Sequence, residues 1–133
     1  MEKWISFDKI NIRIKLIDSI TIRTCGEGCS INLMDNDKRK YVLTFDSIDD
    51  LRYAIENAFI SRVSKVSREI LESNSIFVVE ESEYLKNFKY GVDGTIPIED
   101  MKHFLIFDSI DTGIEILTNR EPVLERRREE KDH

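Results

Sequence analysis

Between residues 10 and 45 apolar side chains recur at every second position, broken at short intervals by turn residues. In KINIRIKLI (9–17), Ile10, Ile12, Ile14 and Leu16 fall on one face, and Asn11, Arg13 and Lys15 on the other. A repeat of two fits a strand with one buried face and cannot serve an amphipathic helix. Asp18-Ser19 turns the chain, and Ile20–Cys25 reads as a second strand. Gly26-Glu27-Gly28 reads as a three-residue hairpin loop, with glycines free to take positive φ. Cys29–Met34 and Arg39–Phe45 follow as third and fourth strands, separated by Asp35-Asn36-Asp37. Four strands with such short connections predict an antiparallel meander.

The period then changes. From Ile48 apolar residues stand at 48, 51, 55, 58, 59, 63, 66 and 70, which predicts a helix over residues 48–72. Beyond it, Ser75–Val79 reads as a short strand. Ser82 caps a short helix running to Lys89, and Val92–Asp100 is a loop. Lys102–Phe107 and Gly113–Thr118 form a C-terminal hairpin. The expected fold class is α+β: an antiparallel meander sheet covered on one face by a long helix, with a C-terminal β-hairpin. No linker divides the chain, so residues 1–124 are expected to form a single domain and residues 125–133 a charged, frayed tail.

The chain has 133 residues, 41% of them hydrophobic, enough for a core of its own. Its formal net charge is −6, and an acidic surface repels nucleic-acid phosphate. Residues 1–66 hold 11 Lys/Arg against 10 Asp/Glu, a balance of +1; residues 67–133 hold 9 against 16, a balance of −7. The start MEKWISFDKINIRIKL lacks the apolar stretch of a signal peptide, and no apolar run has the length of a membrane span. These features predict a cytoplasmic protein with its two cysteines reduced, bound neither to membrane nor to nucleic acid.

The pentapeptide FDSID occurs twice, at Phe45–Asp49 and Phe107–Asp111. In the first copy, Asp46 or Ser47 is placed to cap the expected helix, with Asp49 and Asp50 in its first turn, where the dipole favours negative charge. In the second copy, Asp108–Gly113 is turn chemistry between two strands. The chemical alternative is that Asp46, Asp49, Asp108 and Asp111 converge on a metal ion or an acid–base pair, giving a small metal-dependent hydrolase.

Cys25 and Cys29 flank the hairpin loop and could face each other across it. They offer two ligands where a structural zinc site needs four. His103 shares a face with Leu105 and Phe107 and reads as a hydrogen-bonded core residue rather than a catalyst. Arg62, Lys65 and Arg68 read as the solvated face of the long helix. No Gly-rich phosphate loop or catalytic motif is present, and no catalytic residue, metal or cofactor is expected.

The stretches FVVEESEYLKNF (77–88) and HFLIFDSIDTGIEILTNREPVLE (103–125) resemble a pattern of small bacterial proteins. In that pattern a strand leads into a short S-x-Y helix, and a two-stranded hairpin follows, ending near Glu-Pro. Small acidic proteins of this kind resemble immunity proteins, which protect a cell by binding a cognate toxin. The resemblance implies a non-enzymatic inhibitor that occludes a basic protein partner such as a nuclease toxin. The acidic second half supplies the candidate contacts: Glu80, Glu81, Glu83, Tyr84, Glu99 and Asp100. A third reading is a homo-oligomeric assembly protein pairing the exposed edges of its meander.

Overall fold

The computed structural model describes residues 2–7, 14, 17–54, 69–70, 74–92, 100–108 and 113–127. These form two antiparallel sheets. Sheet A holds β1 (Lys3–Ser6), β5 (Asp50–Ala54), β6 (Ile76–Glu80), β7 (Lys102–Phe107) and β8 (Gly113–Thr118), in the order β1-β6-β7-β8-β5. Sheet B holds β2 (Ile17–Cys25), β3 (Gly28–Asp35), β4 (Lys40–Phe45) and β9 (Val123–Arg127), in the order β2-β3-β4-β9. One short helix, α1 (Glu83–Val92), follows β6.

The expected α+β arrangement is therefore corrected to a two-sheet β architecture. Among the described residues no long helix covers a sheet. The predicted helix at 48–72 instead holds strand β5, and among the described residues of that range Glu69 and Ile70 are helical. Residues 55–68, with the Arg62, Lys65 and Arg68 face, lie outside the described residues. The spacing Ile48–Leu51–Ile55 fits a helix, but residues 50–54 also alternate. Leu51 packs against the core, while Arg52 meets Glu115 on the other face. The partner strand β8 lies more than sixty residues on, and its ladder takes the backbone hydrogen bonds that a helix would have kept local.

The meander fares better: β2, β3 and β4 are consecutive antiparallel neighbours, and β7–β8 is the expected hairpin. Of the first predicted strand, only Ile14 and Ile17 lie among the described residues, and both are buried. Glu125–Arg127, expected in the tail, pair with β4 as part of β9.

One core joins the two sheets. Ile31, Leu33, Leu43, Phe45 and Leu124 from sheet B meet Ile76, Phe104, Ile106, Ile114 and Ile116 from sheet A. Phe45 and Phe104 pack edge to face with centroids 5.5 Å apart, a favoured aromatic geometry. Sheet B alternates buried and solvent-facing residues along β3 and β4, so its outer face is wet. The centre of sheet A is buried on both faces: every residue of β8 is buried, and Trp4, Phe77, Val79 and Leu105 form a second cluster on its far side, while Ile5 and Tyr53 on the edge strands are exposed. Buried Asn74 ties the N-terminal segment to the start of β6. Its Oδ1 accepts from the Ile14 and Ser75 N–H groups, and its Nδ2 donates to Ser6 Oγ and the Phe7 carbonyl.

The first FDSID is the corner where the chain leaves sheet B for sheet A, not a helix cap. The Ile48 N–H donates to the Glu27 carbonyl at the tip of the β2–β3 hairpin, at 2.8 Å. The Asp49 N–H donates to the Leu117 carbonyl on β8, also at 2.8 Å. The hairpin tip is a two-residue turn, Gly26-Glu27, with Cys25 paired to Gly28 rather than to Cys29. Gly26 holds φ +59. Gly28 is needed because a Cβ there would overlap the Phe45 and Asp46 carbonyls of the crossover. Gly28→Ala is expected to cost about 1–3 kcal/mol of stability, read as a lowered urea midpoint with unchanged slope.

The register also separates the two cysteines. Cys29 stands opposite Thr24 and Cys25 opposite Gly28, successive pairs whose side chains point to opposite faces, so the buried Cys29 and the exposed Cys25 cannot pair across sheet B. Burial pushes the Cys29 thiol up to about 11, so it stays protonated and inert at neutral pH. A thiol reagent at pH 8 is expected to modify one cysteine per native chain, Cys25, with the second reacting only on unfolding. Two fast-reacting thiols would contradict this register.

Candidate functional site

β6 ends at Glu80, and the chain turns sharply through Glu81, which adopts φ 54. Ser82 then caps α1: its Oγ accepts the Leu85 N–H at 3.0 Å, and its carbonyl accepts the Lys86 N–H at 3.1 Å. The turn sets Glu80, Glu81 and Glu83 in solvent while Ser82 and Tyr84 point inward. Glu2 joins this corner, its Oε2 accepting the Glu83 N–H at 3.0 Å; a carboxylate is favoured at a helix N-terminus.

Beneath the corner lies a chain of polar groups with almost no solvent contact. Ser82 is 4% exposed, and His103 and Glu115 are 0% exposed. Ser82 Oγ lies 2.7 Å from His103 Nδ1, and His103 Nε2 lies 2.9 Å from Glu115 Oε1. The second Glu115 oxygen accepts from Arg52 Nε. The Arg52 guanidinium also sits 4.0 Å over the Tyr84 ring, and the Tyr84 hydroxyl donates to Asp50 Oδ2 at 2.6 Å. Tyr84 packs edge-on to His103, with centroids 5.2 Å apart. Burial first, then the Asp50 carboxylate, hold the Tyr84 phenol well above its usual range against the opposing pull of Arg52. It therefore remains a hydrogen-bond donor under all ordinary conditions.

A serine, a histidine and a glutamate in line have the order of a nucleophile relay. Here the serine is buried and its oxygen already accepts the α1 backbone, which leaves no approach for an acyl group. The arrangement is an anchor: it fastens the start of α1 to β7, β8 and β5. His103 is thus the hydrogen-bonded core residue that its strand position suggested. Glu115, Arg52 and Asp50 were missed. Glu115 sits in GIEILT, the one acid of that strand, and the hairpin sets it opposite Leu105, two register positions from His103 and on the same face. That placement is legible in the sequence; that of Arg52 is not, because the spacing of Ile48, Leu51 and Ile55 fits a helix as well as a strand.

The expected contact residues divide. Glu80, Glu81, Glu83 and Asp100 are exposed. Asp100 precedes Met101, which packs with Tyr84 and Leu117, so it lies beside α1. Tyr84 is 6% exposed, an interior ring rather than a surface anchor. Glu99 lies outside the described residues.

Of the described FDSID aspartates, Asp49 and Asp108 stand apart. Asp49 is bonded at Leu117, near one end of β8, whereas Asp108 follows Phe107, which pairs with Gly113 at the other end. Four residues of strand, about 13 Å at ~3.3 Å per residue, separate the two points. A metal or acid–base site that needs Asp49 and Asp108 side by side does not fit this spacing. Asp111 lies outside the described residues.

No protein-family model, curated protein or solved structure matches the chain. No helix among the described residues is long and apolar enough to cross a membrane.

Arg52 supplies the counter-charge of a carboxylate that water cannot reach. Arg52→Ala is expected to destabilise by about 3 kcal/mol, the low end of the cost of orphaning a buried ion because Arg52 itself is partly solvated. Arg52→Lys should recover part of this, since an ammonium restores the charge but not the stacking on Tyr84. Chemical denaturation of both variants checks the order.

Proposed function

We propose that this chain is a non-enzymatic, cytoplasmic binding protein of the bacterial immunity or inhibitor type. Its acidic corner, Glu80, Glu81 and Glu83 with Asp100 beside α1, covers the basic active face of a protein partner such as a nuclease toxin, and Glu99 is assigned to the same contact from its place in the sequence alone. The observation that carries this reading is the fixing of exposed carboxylates from below. Glu81 is turned by its backbone, Ser82 is bonded to His103, and His103 is bonded to a fully buried Glu115. Acids held on a rigid turn lose little conformational entropy on binding, unlike acids on a mobile tail. They also present a fixed negative field that speeds encounter with a cationic surface and excludes other partners. No bound metal or cofactor is needed, since occlusion is the whole mechanism.

The test uses the purified protein as bait for the lysate and secreted fraction of its source cell, at low and high salt. A single basic partner lost at high salt is expected. Charge reversal of Glu80, Glu81 and Glu83 together should weaken that partner's binding at least tenfold, chiefly through slower association. Unchanged binding by the triple variant would remove this surface from the interface.

A further inference from the structure

Among the described ladders, one pair on the wet face of sheet B sets two like charges opposite each other. Lys40 on β4 and Arg127 on β9 stand directly opposite each other in the register, both on the solvent side. Like charges in this position repel across a Cβ separation of about 5 Å. Neither cation has a carboxylate partner among the described residues. Lys40 makes no ion pair, and the Arg127 guanidinium donates through Nη1 to the neutral Asn32 Oδ1 at 3.2 Å. Acids are close at hand yet turned to other uses. Asp18, the extra residue of a bulge in β2, takes Lys38 at 3.7 Å. Glu125 lies on the same face two residues along β9, opposite Val42.

These two cations form one wall of a cavity of about 170 Å³. Ser19 and Thr21 on β2 form the other wall, and Asn32 and Met34 lie between. No carboxylate lines it, in a chain of net charge −6 with 26 acidic residues. A like-charge pair with no carboxylate partner among the described residues marks a place where a ligand supplies the missing countercharge. Two cations on one side and two hydroxyls on the other suit a tetrahedral oxyanion better than a flat carboxylate. The guanidinium and ammonium would take its charge, and the hydroxyls would donate to its remaining oxygens.

We infer that this cavity is a binding site for a phosphoryl dianion, as inorganic phosphate or as the phosphate of a small monoester. The overall acidity of the chain still repels a polyanion such as nucleic acid; the site accepts one phosphoryl group at a locally cationic spot. It lies on the sheet opposite the acidic corner and does not depend on the partner proposed there.

Thermal unfolding of the full chain at pH 7 and matched low ionic strength tests it, with sodium chloride, acetate, inorganic phosphate or O-phosphoserine added. Phosphate, O-phosphoserine or both are expected to raise Tm by about 3–5 °C over chloride, with acetate giving no rise. Whichever of the two shifts Tm at the lower concentration identifies the source of the group. Lys40→Gln and Arg127→Gln should each abolish the rise. In chloride alone each should leave Tm unchanged or higher, because the repulsion is relieved. Amide chemical-shift changes confined to Ser19, Thr21, Asn32 and their neighbours would place the ligand in the cavity. A phosphate effect equal to that of chloride or acetate, or one that survives both substitutions, would overturn the site.

Discussion

The Glu115 carboxylate is buried without solvent contact on the outer face of sheet A, and its neighbours are arranged around that fact. A charge in such a place is tolerated only when paired and hydrogen-bonded. Arg52 meets one of its oxygens and His103 the other. Satisfying Glu115 therefore fixes the register of β5 against β8 and the position of His103 on β7. Through Ser82 it also fixes where α1 begins. The ring of Tyr84 closes the group, under Arg52 and against His103. A helix of ten residues is too short to be stable alone; this one is held by Tyr84, Leu85, Phe88, Met101 and Leu117 and by the polar chain at its start.

The two sheets divide the labour of the surface. Sheet B is built from the charge-balanced first half of the chain together with β9, and it keeps one face in water. Most of sheet A comes from the acidic second half, and its centre is buried on both faces. Its acids consequently collect at its corners and around α1 instead of along its strands. The uneven charge seen along the sequence thus becomes an uneven charge in space: a carboxylate-rich corner on one sheet and a cationic cavity on the other.

Much of the sheet architecture was legible because alternation is a local signal. β2, β3 and β4, the β7–β8 hairpin and the Ser82 cap all follow from side-chain period and turn chemistry within a few residues. β5 was not legible. Its five residues carry helical spacing as well as alternation, and the choice between them rests on a hydrogen-bonding partner more than sixty residues away. The same gap hid Arg52 from the site. The burial of Tyr84 is hidden for a related reason: acids precede it in the sequence, but its neighbours in space are Arg52, Asp50 and His103.

The two FDSID segments show where the boundary falls. The sequence by itself determined that both would end a strand, because Asp and Ser bond to their own backbone and disfavour a continued ladder. It also determined which faces of β3 and β4 are apolar, and that Gly26 would turn a hairpin. Only the tertiary structure decided that one copy crosses between sheets while the other leads back along its own sheet. The first is seized by the Glu27 and Leu117 carbonyls, from two different sheets; the second links β7 to its neighbour β8. Identical pentapeptides carry identical local preferences. Their roles diverge because hydrogen bonds to distant strands are worth more than any preference the five residues share.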